Sequence, residues 1–202
     1  LVVDIDAYTN TYDGFLGQVQ VDVPKGATIG TDQAILNMLD VNRDAGQDRY
    51  RVYTNAKNKY QNYGAALSLT YNFYKKYTVA GNVSYNKIKA ATSNDLFVTG
   101  FNTPEWVTNL TIGNPEVIKN VGFSVVYKWQ DSFLWESPLV TGQIAAINTF
   151  DAQLSYKLPK YKSTLKVGGT NIFNKAYLQY AGGPTLGALY YAAITFEGLL
   201  NR

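Results

Sequence analysis

Neither cysteine nor histidine occurs anywhere in the 202 residues, and this removes most of the usual chemistry at once. Without a thiol there are no disulfides, thiolate metal sites or cysteine nucleophiles. Without an imidazole, a Ser-His-Asp triad or a histidine zinc site cannot be built. No catalytic residue, metal site or cofactor is therefore predicted. What remains is carboxylates, lysines, amides and 17 tyrosines, side chains suited to hydrogen-bonding and stacking against a ligand. Tyr8, Asn10, Tyr12, Lys128, Gln130, Asp151 and Tyr191 are the candidates for such contacts. Asp40, Asp44 and Asp48 in DVNRDAGQD superficially resemble an oxygen-ligand calcium loop, but the spacing does not match an EF-hand, and a solvated loop is the better reading. A net charge of +3, scattered without a basic stripe, argues against a nucleic-acid surface.

Whether those candidates share a surface depends on the elements that carry them, and the dominant period is two. Tyr63, Ala65, Leu67, Leu69, Tyr71 and Phe73 alternate with Gly64, Ala66, Ser68, Thr70 and Asn72. Tyr77, Val79, Gly81, Val83 and Tyr85 alternate with Thr78, Ala80, Asn82, Ser84 and Asn86, and Phe150, Ala152, Leu154 and Tyr156 with Asp151, Gln153, Ser155 and Lys157. The same pattern predicts five further strands: from Leu1 to about Phe15, from about Glu105 to Ile112, from Val121 to Trp135, from Thr164 to Phe173 and from Leu189 to Gly198. Eight strands result, the second beginning near Arg51. The chain opens inside an alternating pattern, which leads us to expect a piece of a longer protein.

The connections alternate between long (17–50, 90–104, 136–148, 174–188) and short (74–76, 113–120, 159–163). An up-and-down barrel in the outer membrane does this, with short periplasmic turns and long extracellular loops. Residues 32–39 could form a short helix in the first loop. No run approaches the roughly 20 apolar residues of a transmembrane helix. Charges avoid the central part of the apolar face: Asp4, Asp6, Lys128, Asp151, Lys157 and Lys166 all take the opposite phase, as expected where Lys or Arg at the bilayer midplane costs about 2–4 kcal/mol. Lys87 and Asp131 share the apolar phase but sit toward the extracellular ends, where the cost falls to near zero. Aromatics cluster at strand ends (Tyr71, Phe73, Tyr74, Tyr77, Tyr156 and Phe196 below; Tyr85, Trp106 and Trp129 above), as interfacial girdles do. A soluble β-sandwich would also alternate, but its loops would not sort by length onto opposite ends. The fold class predicted is all-β, an antiparallel up-and-down transmembrane β-barrel in contact with outer-membrane lipid.

The last forty residues resemble the C-terminal end of TonB-dependent receptors. Asn171-Ile172-Phe173-Asn174-Lys175-Ala176-Tyr177 is similar to that family's penultimate-strand motif, and a loop with Gly182, Gly183, Pro184 and Gly187 follows before a terminal aromatic strand. Tyr53-Thr54-Asn55-Ala56, with Tyr63-Gly64-Ala65 downstream, resembles a recurring strand of the same family. The chain departs from the usual pattern at Ala66, at Ala188 and in the tail after Phe196. The resemblance implies a multi-pass protein of the Gram-negative outer membrane. Here the chain would be the C-terminal segment, about eight strands, of a barrel of about 22 strands. It also implies barrel-assembly machinery as a folding partner, an N-terminal plug domain and a TonB-contacting segment outside this chain, and a scarce-nutrient cargo: a ferric siderophore, haem, cobalamin or a glycan.

Ligand contacts would then come from interior-facing residues in the upper half, which by phase include Tyr8, Asn10, Tyr12, Lys128, Gln130, Asp151 and Tyr191. Asp4 and Asp6 lie on the lower interior face, where a charge facing a sealed lumen needs a partner; contact with the plug is expected. Trp135 could stack on a sugar or catecholate. Two other readings compete with the receptor. One is a complete small eight-stranded barrel serving as anchor or adhesin. The other, an outer-membrane enzyme, lacks the histidine that the common nucleophile–base pairing requires.

Overall fold

Strict alternation marks the middles of the long strands, but pairing and turn chemistry set where they end. The computed structural model describes residues 1–22, 49–56, 59–89, 100–137 and 140–196, with backbone only for 18–22, 49–52 and 54. Twelve strands lie among them: β1 (Val2–Tyr12), β2 (Leu16–Asp22), β3 (Arg49–Asn55), β4 (Tyr60–Phe73), β5 (Tyr77–Lys89), β6 (Trp106–Ile118), β7 (Val121–Gln130), β8 (Phe133–Glu136), β9 (Thr141–Ile144), β10 (Ile147–Leu158), β11 (Ser163–Thr170) and β12 (Leu189–Phe196). Eight of them form one sheet in the order β1-β4-β5-β6-β7-β10-β11-β12, every neighbouring pair antiparallel. The sheet is not closed: β1 and β12 are its two edges. The remaining strands form two hairpins, β2–β3 and β8–β9, inserted in long loops.

Several boundaries differ from the sequence reading, β1 ending at Tyr12 rather than near Phe15 among them. The second long strand does not begin near Arg51. Arg49–Asn55 pairs with β2 in the loop, and β4 starts afresh at Tyr60; buried Ala56, whose N–H bonds the carbonyl of Phe15, marks the break. The strand predicted from Val121 to Trp135 ends at Gln130, where the Asp131 carboxylate accepts the Ser132 N–H at 2.7 Å and turns the chain. The connection read as 113–120 is mostly strand. β6 runs on to Ile118 through an irregularity between Asn114 and Ile118, leaving a two-residue turn. The residues expected to form a helix at 32–39, and Asp40, Asp44 and Asp48, lie outside the described residues.

Register keeps one chemistry on each face. On the outer face, Leu69 stands beside Val3 and Gly81, Leu110 beside Tyr127, and Leu154 beside Phe123 and Val167. Ile5, Leu110, Leu154 and Ile194 are 79%, 51%, 57% and 52% exposed, and among the described residues only Ala56, Tyr60, Ile144 and Ile147 are buried hydrophobics. A water-soluble fold would reverse that distribution; a barrel wall in hydrocarbon requires it. Among the described residues no helix is long and apolar enough to cross a membrane.

The inner face is joined by side-chain hydrogen bonds between strands: Asn109 to Asn82 at 3.0 Å, Thr78 to Asn72 at 2.7 Å, Tyr8 to Asn86 at 2.7 Å and Tyr191 to Gln153 at 2.9 Å. The two tyrosines use the same device. Each lies across a glycine of the neighbouring strand, Gly64 or Gly168, to reach the strand beyond. A Cβ there would meet the ring within 2.8–2.9 Å, so glycine is what lets the ring lie flat.

At the short-turn end the hairpins are cross-tied. Asn114, 1% exposed, donates to the Lys75 carbonyl and accepts the Glu116 N–H. The Lys157 N–H reaches the Asn120 carbonyl at 2.8 Å. Glu116, level with the turns and beyond the apolar band, is held below the usual carboxylate range, first by the hydrogen bond from Lys76 and then by the Asn120 backbone.

Candidate functional site

The β6–β7 and β7–β10 registers place Asn109, Lys128 and Thr149 in one row of the inner face, with Val107, Gln130 and Ile147 in the next row up. Asp151 stands one row lower, beside Val126. From there it accepts a 2.6 Å salt bridge from Lys128 through one oxygen and the Asn171 N–H at 2.9 Å through the other. The Asp151 side chain is 16% exposed and that of Lys128 50%, so the carboxylate is committed while the ammonium faces the interior. Together with Asn109, Gln130, Tyr177 and Gln179 these groups line a pocket of about 330 Å³. The charge of its one ion pair cancels, and the amides and hydroxyls of Asn109, Gln130, Thr149, Thr170, Asn171, Tyr177 and Gln179 share the wall with Val107, Trp129 and Ile147. Such a surface offers directed donors and acceptors rather than an uncompensated charge.

The turn that Asp151 anchors is the Asn171–Tyr177 motif. It was expected to continue a strand to Phe173; instead β11 ends at Thr170 and the motif folds back. Asn171 and Asn174 take φ of 49° and 53°, the left-handed region asparagine tolerates best after glycine. The Asn171 amide bonds both ways with the Lys175 backbone, at 2.8 and 3.0 Å. Asn174 accepts the Ala188 N–H at 2.9 Å, and a Cβ at Gly187 would lie 2.6 Å from its oxygen. Lys175 donates to Asn148, and Phe173 packs edge-on against Phe150, centroids 5.5 Å apart. Period two cannot reveal such a turn, because its asparagines act through backbone bonds rather than through a face.

Of the predicted contact residues, Lys128, Gln130 and Asp151 come together at this pocket. Tyr191 lies lower and two strands away, bonded to Gln153. Tyr8, Asn10 and Tyr12 are on β1, at the far edge of the sheet. Tyr8 bonds Asn86, Asn10 stands opposite buried Asn62, and Tyr12 meets Phe15 at 5.5 Å over a small apolar hollow. Asp4 and Asp6 face inward beside Ser68 and Ala66 and form no salt bridge among the described residues. Asn109 was missed although its phase is readable. Tyr177 and Gln179 were missed because they sit in a loop without periodicity.

At the same long-loop end of the sheet three loops are joined. Asn102 donates to the Glu136 carbonyl and accepts the Glu136 N–H, at 2.9 and 2.7 Å, clamping β8 as a strand partner would. Trp135 packs against Tyr180 at 5.6 Å. The arch that carries Tyr180 is pinned by the Tyr177–Leu186 bridge.

Comparison with known proteins agrees with this architecture. The chain is similar in fold to the siderophore receptor PirA from Acinetobacter baumannii, with TM-score 0.61 and 14% identity over 95% of this chain and 29% of that one. The ferripyoverdine receptor of the outer membrane of Pseudomonas aeruginosa gives 0.59 and 12% over 95% and 24%; the copper transporter OprC gives 0.59 and 12% over 95% and 28%. The chain thus spans less than a third of each, and at such identities the likeness is one of fold. No curated protein matches it in sequence. A family model covers residues 29–183, well over half the chain. With its strands crossing the outer membrane repeatedly, the chain belongs to the outer membrane protein beta-barrel family.

Proposed function

We propose that the chain is the C-terminal sector of the wall of a larger outer-membrane import receptor, energised through TonB, with the plug and TonB-contacting segment supplied by the rest of that protein. The observation that carries this reading is the inward-facing pocket around Lys128, Gln130 and Asp151, to which the loop after β11 adds Asn171, Tyr177 and Gln179. The two unpaired edges support a sector rather than a whole: an eight-stranded anchor would close by pairing β1 with β12, and these are edges. Asp4 and Asp6, inward and without a salt bridge among the described residues, are the contacts we assign to the plug. Among ferric siderophore, haem, cobalamin and glycan, the cancelled charge and amide-rich lining favour a hydroxylated, hydrogen-bonded cargo, the glycan. The test is growth of a strain lacking the gene on defined iron, cobalamin or glycan sources, complemented with the parent or with Lys128→Ala/Gln130→Ala. A defect confined to a glycan source, restored by the parent and about tenfold less well by the variant in uptake rate, is expected; a loss of two hydrogen-bonding groups of this kind is worth that much. Full restoration by the variant would remove the pocket from the transport path.

A further inference from the structure

The three short connections share a composition that hairpin geometry does not ask for. Tyr74-Lys75-Lys76 joins β4 to β5, Lys119-Asn120 joins β6 to β7, and Pro159–Lys162 joins β10 to β11. They hold five lysines and no carboxylate. The acid beside them, Glu116, is held by Lys76 at 2.7 Å. Among the described residues, Lys75, Lys119, Lys160 and Lys162 form no salt bridge.

Lysine is also an awkward residue for the backbone here. Lys75, Lys76 and Lys162 have φ of 47°, 69° and 45°, a region that glycine and asparagine occupy easily and other side chains rarely adopt. A two-residue hairpin with both central residues left-handed ordinarily holds Asn-Gly. In the β6–β7 turn the one left-handed residue, at φ 67°, is Asn120, a fitting choice. Charge is thus kept where local geometry selects against its carrier, and strain of that kind points to a use.

The location says what use. Just inside these turns the outer face carries Tyr71, Phe73, Tyr77 and Phe123, packed in series with centroids 5.6–6.2 Å apart, the first three stacked and the last edge-on, the level at which aromatic belts meet lipid headgroups. Tyr74 and Tyr161, within the turns, are 68% and 64% exposed. Lys75 lies 4.9 Å from the Tyr74 ring centre and Lys160 5.8 Å from that of Tyr161. The ammonium groups are therefore held beside amphipathic rings at the polar boundary. The ties from Asn114 to Lys75 and from Lys157 to Asn120 keep the turns in a fixed row.

We propose that this row is a binding surface for the phosphate headgroups of anionic phospholipid in the adjacent leaflet, with Lys75, Lys119, Lys160 and Lys162 as the charged contacts and Tyr74 and Tyr161 seated between headgroup and chain. An acidic soluble protein would match the charge but has no use for tyrosines at the bilayer boundary.

The experiment uses the intact protein in nanodiscs of phosphatidylcholine with a minor fraction of phosphatidylglycerol, with retained lipid identified by native mass spectrometry. Phosphatidylglycerol is enriched over phosphatidylcholine. In Lys75→Asn/Lys119→Gln/Lys160→Gln/Lys162→Asn, which keeps the Lys76–Glu116 pair and relaxes two backbone positions, the melting temperature holds or rises while enrichment falls about tenfold or more, as loss of several near-surface cations requires. Equal retention of both lipids by the parent overturns the proposal. So does undiminished enrichment in the variant.

Discussion

Asp151 does two jobs with one carboxylate: it holds Lys128 toward the interior and anchors the Asn171 turn. Removing it leaves a buried N–H without its acceptor and a lysine without its counter-charge. Asp151→Ala should therefore lower stability by about 1–3 kcal/mol, seen as a lower melting temperature in detergent, whereas Lys128→Ala, which keeps the Asn171 bond, should cost clearly less. Equal losses would show that the backbone bond is not the important one. At this scale the sequence disclosed phase, and phase was enough to put Lys128, Gln130 and Asp151 on one inner face. It could not disclose that Asp151 is already committed, because its second partner is a backbone N–H twenty residues away in a turn. For the same reason the Asn171–Tyr177 motif was recognisable as a pattern but not as a fold-back.

At the scale of the strand, the face assignment makes a sharp claim about neighbours in sequence. Leu69 and Ser68 are adjacent, yet one meets hydrocarbon beside Val3 and Gly81 and the other meets the interior beside Asp4 and Asn82. Leu69→Arg should cost about 2–4 kcal/mol near the midplane and sharply reduce the folded, membrane-inserted fraction measured by heat-modifiable mobility. Ser68→Arg should leave it nearly unchanged. Equal effects would undo the assignment of faces. The eight long strands were legible because each repeats one alternation over a full membrane crossing. The two hairpins were not, because alternation tells a residue which face it takes but not which strand it pairs with. Arg49–Val52 alternates as a crossing strand does, yet the partner of Arg49–Asn55 is β2 in the same loop; Phe133–Glu136 likewise pairs with β9.

For the whole molecule, an apolar outer face and two unpaired edges predict that residues 1–202 alone will not remain monodisperse in plain buffer. Exposed edges template further pairing, and the outer face adds a continuous apolar surface to it. Size-exclusion chromatography should show aggregate without detergent, and a folded monodisperse peak in plain buffer would refute the membrane reading. What such an assay cannot see is the arrangement of the long-loop end, where Asn102 completes β8 and Tyr180 closes on Trp135. Seen from outside the cell, stretches far apart in sequence present one composite epitope. An antibody selected against the native surface of this sector would need all three stretches at once and should ignore each as a linear peptide.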